Sequence, residues 1–364
     1  MSAFSSLLTQ KTGRKALVTV VAAATVIGLA ACSSDSGDKP ADSPAAGETA
    51  DYGDLAVQLS WIKNEEFSGE FFADTNGYFK DAGFSNVTLT SGPSTGTAEL
   101  LSGTADVALS DAISVGTVIA NEEAPLKIIG STFQKNPFTI LSVAGEANIL
   151  TPKDLVGKTI GVQDSNASLF AALLAVNDID PDDVNVVPVQ YDPSVLVNGD
   201  VDGFMAYLTN ESITVSQQGV EVANLPFADN GLPFVAETVT TTDQYIEENR
   251  EKLKAFLYAE ILGWTDAVND PEAGATLAIE NYCDVDFCPD IESSKLGATA
   301  QAELLVVSDD TVANGLFTIT DELQAETIAS LAAAGLTVDQ AALFDLSLLS
   351  EVYEEHPELV AYAK

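Results

Sequence analysis

The sequence predicts an α/β protein of two lobes joined by two crossover segments. Three observations predict it. Strand-like and helix-like stretches alternate from residue 55 onward. The alternation restarts near residue 157. From residue 245 onward only helical patterns follow. Strands that alternate with helices form βαβ units around a parallel sheet.

The elements follow in order. "LAVQLSW" (55–61) alternates like a strand and ends on an aromatic. "GEFFADTNGYFKDAGF" (69–84) predicts a helix closed by Gly83, and "NVTLTSG" (86–92) a strand. "STGTAELLSG" (94–103) starts on Ser/Thr and stops on Gly, which are helix boundaries. "ADVALSD" (105–111) is a strand, a helix with Val115 and Ile119 follows, and "LKIIGSTFQ" (126–134) is another strand. The second round runs strand 157–166, helix 167–177, strand 184–191, a short helix at "PSVLVNG" and strand 201–207. "LLSGTADVAL" (100–109) and "VLVNGDVDGFM" (195–205) share Leu, Gly and Asp in one order before an apolar strand, as two lobes built alike would. "FTILSVAG" (138–145) and "FVAETVTTT" (234–242) bracket the second round and are read as the crossovers. Helices are expected over 245–269, 271–282, 292–304, 320–334 and 337–363. Lobe one is therefore assigned 54–142 plus 236–364, and lobe two 143–235.

The N-terminus reads as an export signal over 1–31. Lys11, Arg14 and Lys15 precede the apolar run Ala16–Ala31, which is shorter than a spanning helix. Leu29-Ala30-Ala31-Cys32 resembles a bacterial lipobox, in which the cysteine is acylated and becomes the new N-terminus. Two or more acyl chains on Cys32 would hold the protein on a membrane. Residues 32–53 are rich in Ser, Asp, Gly, Pro and Ala and read as a flexible tether. The remaining cysteines, Cys283 and Cys288 in "YCDVDFCPD", read as a local disulfide outside the cytoplasm. The nearby aspartates lack the regular spacing of a calcium loop.

Composition excludes several classes. The formal net charge is -40, and loss of the three basic signal residues makes the mature chain more acidic still. Such a surface repels nucleic acid and anionic lipid. Its bland reading is a solvated acidic coat. About 330 mature residues suit two domains better than one. No Cys–His pair, nucleophile elbow or phosphate loop is present, and the single histidine, His356, lies near the C-terminus. Nothing implies a cofactor or a metal.

An exported lipoprotein with two α/β lobes and two crossovers resembles the substrate-binding proteins of ABC importers. It is most similar to the group that holds the nitrate, sulfonate, taurine and thiamine-pyrimidine binders. "LSWIKNEEFSGEFFADTNGYFKDAGF", "LLSGTADVALSD", "FQKNPFTILSVAGE", "PKDLVGKTIGVQ", "VDGFMAYLTNES" and "ENREKLKAFLYAEILGWTDAVNDPE" carry the resemblance, by their order and spacing. "NPFTIL" and "AYLTNE" look more like the vitamin-precursor binders. Ile62-Lys63 departs from the Thr-Pro that follows the tryptophan in that pattern. The resemblance implies a periplasmic-binding-protein-like type II fold with a ligand cleft between the lobes. It also implies a monomer on the extracytoplasmic face of the cell membrane, with a permease and an ATPase as partners.

Residue chemistry narrows the ligand. Anionic ligands are usually held by a guanidinium fork. The only mature arginine, Arg250, sits in the charged stretch "ENREKLK". Lys63, Lys135 and the helix starts near Ser94 and Ser165 are the remaining provision for an anion. The predicted loops instead carry Trp61, Asn64, Asp111, Gln134, Asn136, Phe138, Gln163, Asn166, Tyr207, Asn210 and Glu211, which are the expected ligand contacts. Phe67, Phe133 and Asp229 are weaker candidates. Rings with amide and carboxyl groups suit a neutral or weakly basic aromatic heterocycle, such as a thiamine-pyrimidine. Trp61, Tyr207, Asn210 and Glu211 stand at strand ends, where ligands sit in open α/β sheets. Trp264, at apolar helical spacing, is read as core. The alternatives are a small anion such as taurine, another sulfonate or nitrate, a histidine-using pyrimidine-synthesis enzyme, and a surface lipoprotein without a transport role.

Overall fold

The computed structural model of the chain describes residues 50–284 and 288–362. The signal segment, Cys32 and the tether up to residue 49 lie outside the described residues.

The strands are β1 (Gly53–Gln58), β2 (Phe84–Thr90), β3 (Val107–Asp111), β4 (Leu126–Phe133), β5 (Phe138–Val143), β6 (Thr159–Val162), β7 (Asn185–Pro188), β8 (Gly203–Tyr207), β9 (Val222–Pro226) and β10 (Ala236–Thr242). They form two five-stranded sheets. The first runs β2-β1-β3-β10-β4 and the second β7-β6-β8-β5-β9. β1 is parallel to β2 and β3, and β6 is parallel to β7 and β8. The strand that arrives from the other lobe is antiparallel in both sheets. β10 runs against β3 and β4, and β5 runs against β8 and β9. The chain thus crosses once after Phe133 and again before Ala236. Residues 138–142, assigned above to lobe one, pair in the second sheet. Phe138 to Ser142 are all buried and β5 is bonded on both edges, so it is a central strand rather than a connection.

The internal echo has a structural basis. In the first sheet Asp106 donates its backbone N–H to Ala56 O and accepts from Ala56 N through Oδ2, each at 2.8 Å. In the second, Asp202 makes the same pair of bonds to Thr159, each again at 2.8 Å. Gly103 and Gly199, three residues earlier in each case, take φ values of 71° and 78°. That left-handed conformation costs glycine nothing. Each Gly-x-x-Asp unit turns the chain out of a helix and pins the start of a parallel strand.

The helix Ser68–Thr75 packs against the long helix Asp243–Asn269. Glycines permit the contact. A Cβ on Gly263 would lie 2.1 Å from Gly69 O, and one on Gly69 would lie 2.2 Å from the Trp264 ring. Trp264 is buried as expected. Most buried apolar side chains form one cluster around the first sheet and the inner face of the second. Leu141, Leu196, Val201, Phe204, Ala206 and Val215 form a smaller one.

Some elements differ from expectation. The helix predicted over 69–84 breaks at Gly77, whose φ is 78°. The helix predicted over 337–363 is three pieces, Gln340–Leu343, Ser347–Glu355 and Pro357–Val360. Phe344 is extended there and bridges Ile128 on β4, while Pro357 removes a backbone donor. Elements without a sequence assignment include β9 and the helices Glu211–Gln217 and Asp309–Asn314. The disulfide Cys283–Cys288 is formed.

Candidate functional site

A cavity of about 500 Å³, part of it open to solvent, lies where the two sheets face each other. The first lobe supplies Ser60, Trp61, Glu66, Asp111 and Glu237. The second supplies Phe138, Gln163, Asn166, Tyr207 and Glu211. Seven expected ligand contacts therefore meet here: Trp61, Asp111, Phe138, Gln163, Asn166, Tyr207 and Glu211.

Each is held by local chemistry. Trp61 follows β1 and is half-buried. Asp111 ends β3 and caps the helix Ala112–Glu122, its Oδ1 accepting from Ser114 N at 2.8 Å. It therefore both caps a helix and lines the cavity. Gln163 donates through Nε2 to Met205 O at 3.0 Å and accepts from Asn166 Nδ2 at 3.0 Å. Phe138 and Tyr207 face across the β5–β8 ladder with ring centroids 4.6 Å apart, edge to face. Glu211 opens its helix and accepts from Tyr207 N at 2.8 Å.

The centre of the site is a pair of acids that sequence reasoning did not single out. Glu237 has a φ of 45° at the irregularity in β10 between Ala236 and Thr238. A bulge of this kind re-aims a side chain, and a non-glycine residue at positive φ is held only where its surroundings enforce it. Ser60 Oγ lies 3.0 Å from both Glu237 oxygens and 3.2 Å from Glu66 Oε1. Tyr207 donates its hydroxyl to Glu237 Oε1 at 3.1 Å, which ties the second sheet to the first. Glu66 and Glu237 are only 3 % and 2 % exposed, so neither charge is solvated.

Among the described residues, no lysine or arginine lines the cavity. Burial therefore governs the titration of its acids. It pushes Glu237 up to about 7, and Glu211 also to about 7. Glu66 is raised well above the usual carboxylate range by burial and then by the charge of Glu237. Burial raises Asp111 too, and it raises the Tyr207 phenol well beyond its ordinary value. The cavity thus offers aromatic faces, hydroxyls and a pair of carboxyls that burial pushes toward their protonated forms.

The other expected residues lie elsewhere. Asn64 and Asn210 line an adjoining space that shares Trp61 and Glu211 with the cavity. Gln134 and Asn136 are not among the lining residues. Gln134 donates to Ser131 O, while Asn136 donates to Leu232 O and accepts from Phe138 N. Both amides brace the first crossover. Phe67 and Phe133 are core, and Asp229 pairs with Lys135 on the surface. Arg250 pairs with Glu351 on the helical tail. His356 sits at the end of a C-terminal helix against Tyr258, away from the cavity lining.

The residues missed include Ser60, Glu66, Thr95, Ser110, Met205, Ala206 and Glu237, whereas Ser94 and Ser165, named above as helix starts, do line the cavity. One signal was available. Glu237 is the lone acid in "FVAETVTTT", a run otherwise apolar or β-branched. An acid in such a strand needs a reason.

Comparison with known proteins agrees with this architecture. A formylaminopyrimidine-binding protein of Halalkalibacterium halodurans is 23% identical over 239 residues, which is 64% of this chain and 72% of that protein. The riboflavin-binding protein RibY of Chloroflexus aurantiacus is 23% identical over 293 residues, 75% of this chain and 78% of that one. The crystal structure of the periplasmic nitrate-binding protein NrtA from Synechocystis superposes with a TM-score of 0.62 at 12% identity, covering 84% of this chain and 90% of that one. Residues 64–274 match the NMT1/THI5-like family, and the chain belongs to it.

Proposed function

We propose that this protein is the solute-binding component of an ABC importer, and that its ligand is a small aromatic heterocycle, neutral or weakly basic. The observation that carries this reading is the cavity lining: Trp61, Phe138 and Tyr207 around the Glu66–Glu237 pair, with no cationic side chain among the described residues. The rings stack on a flat ligand, which adds about 1 kcal/mol beyond the area buried. The acid pair accepts from ring N–H or amino groups. A ligand that leaves these acids unpaired forfeits roughly 1–3 kcal/mol, which sets the selectivity. The binding functions named for the two sequence relatives, of an aminopyrimidine and of a flavin, support the same class.

Transport follows from the two-lobed geometry. Ser60 and Glu237 belong to the first lobe and Tyr207 to the second, so a ligand between them favours the closed state by touching both. The closed protein then docks on a permease, with Cys32 as the lipid-bearing anchor on the extracytoplasmic face. The reading is of a binder, which the two sequence relatives named as binding proteins support. The anion alternative has only the helix starts near Ser94 and Ser165 to rest on, since no lysine or arginine among the described residues lines the cavity.

The test is thermal unfolding of the protein against aminopyrimidines, thiamine, riboflavin, taurine and nitrate. A ligand present at 100 times its dissociation constant adds about 2.7 kcal/mol to stability. Stabilisation by one heterocycle is expected. Stabilisation by taurine or nitrate alone would overturn the ligand class.

A further inference from the structure

We propose that the ligand has two parts, an aromatic head in the acid-lined cavity and an uncharged, hydroxyl-bearing tail in the adjoining outer chamber. The inference rests on the heterocycle reading above and narrows it.

The outer chamber holds about 830 Å³ of space, part of it open to solvent. Trp61 and Glu211 border both spaces, so a ring stacked on Trp61 points a substituent past Glu211 into the second. The chamber's polar lining is Asn64, Tyr191, Asp192, Asn210 and Thr214. Cys288 and Pro289 form another part of the wall, held by the disulfide to Cys283.

Two features fix the chemistry of the tail. Asn64 is 1 % exposed, and its Nδ2 is buried with no acceptor among the described residues. Its Oδ1 already accepts from Glu66 N at 3.0 Å, so the amide cannot turn over to relieve this. A buried donor without a partner is costly, and because Asn64 lines the chamber an acceptor on the ligand that reaches it relieves that cost. A hydroxyl oxygen supplies one. The second feature is charge. Asp192 and Glu211 face the tail, and among the described residues no lysine or arginine lines the chamber. A phosphate there would meet like charge, whereas hydroxyls can donate to both carboxyls. The tail is therefore a polyol or similar neutral chain, and the phosphorylated form of the same ligand is rejected.

Three probes test this on the whole protein by calorimetry. Riboflavin carries ring and polyol tail, lumichrome the ring alone, and flavin mononucleotide a phosphorylated tail. Riboflavin is expected to bind at least roughly tenfold more tightly than either of the others. Thr214→Trp, which fills the outer chamber, is expected to weaken riboflavin at least tenfold and leave lumichrome within about twofold. Equal binding of riboflavin and lumichrome, equal loss of both in the variant, or tight binding of the phosphorylated probe overturns the two-part ligand. Binding of single-ring aminopyrimidines only also overturns it, and leaves the heterocycle reading standing. Binding of taurine or nitrate in place of any ring overturns both.

Discussion

Two buried glutamate pairs lie close together in this protein, and they differ in what surrounds them. Glu66 and Glu237 face the cavity, with Ser60 and Tyr207 at hydrogen-bond distance. Glu70 and Glu260 are sealed between the helices Ser68–Thr75 and Asp243–Asn269, where Trp264 donates to Glu70 Oε1 at 3.2 Å. Burial raises both pairs. Glu70 is pushed up to about 7, and Glu260 goes well above the usual range because the Glu70 charge adds to burial. A raised carboxyl therefore does not by itself mark a site. Access marks it: one pair lines the cavity, and the other is closed off beside Trp264.

The sharpest way to break this comparison is at Glu237. Glu237→Gln is expected to weaken the heterocycle by roughly 10- to 100-fold, since it turns an acceptor oxygen into a donor. Glu260→Gln is expected to leave affinity within about twofold. Calorimetry of both variants decides it, and equal losses would erase the distinction.

The pH dependence of stability sharpens the comparison next. Each of these groups has a folded pKa above its ordinary 4.5. The folded state thus holds more protons than the unfolded chain between about pH 4.5 and 7. Stability is full below pH 4.5 and falls as pH rises through 7. A fully buried carboxyl moved from 4.5 to about 7, such as Glu211, contributes on the order of 3 kcal/mol to that fall. Denaturant midpoints at pH 5 and pH 8 should show it. Glu260→Gln should flatten the slope with affinity unchanged, and Glu237→Gln should flatten it with affinity lost.

The smallest expected effects separate cleft amides from crossover amides. Gln163→Ala is expected to weaken binding a few-fold. Asn136→Ala is expected to lower stability by about 1 kcal/mol and leave binding unchanged. A loss of affinity in Asn136→Ala would mean that the crossover itself sets the closed state.

The aromatic half of the site was legible and the acidic half was not. Trp61, Phe138 and Tyr207 stand at the ends of apolar strands, where an aromatic has an evident use. Glu66 sits in "NEEF" among other acids of an acidic protein, where nothing separates a cleft carboxyl from a surface one. Gln134 and Asn136 looked as suited to a ligand as Gln163, because an amide reads alike whether it meets a ligand or a backbone carbonyl.

By itself the sequence determined the alternation of strands and helices, the Gly-x-x-Asp unit repeated in both lobes, the disulfide and the want of an arginine near the loops. These depend on neighbours a few residues apart, or on composition, and both can be read along the chain. The tertiary structure decided which acids share a cavity. Ser60 and Glu237 are 177 positions apart and meet only because β10 returns to the first sheet between β3 and β4. Burial, and with it the proton affinity of these groups, is set by contacts across the fold, and no local pattern encodes it.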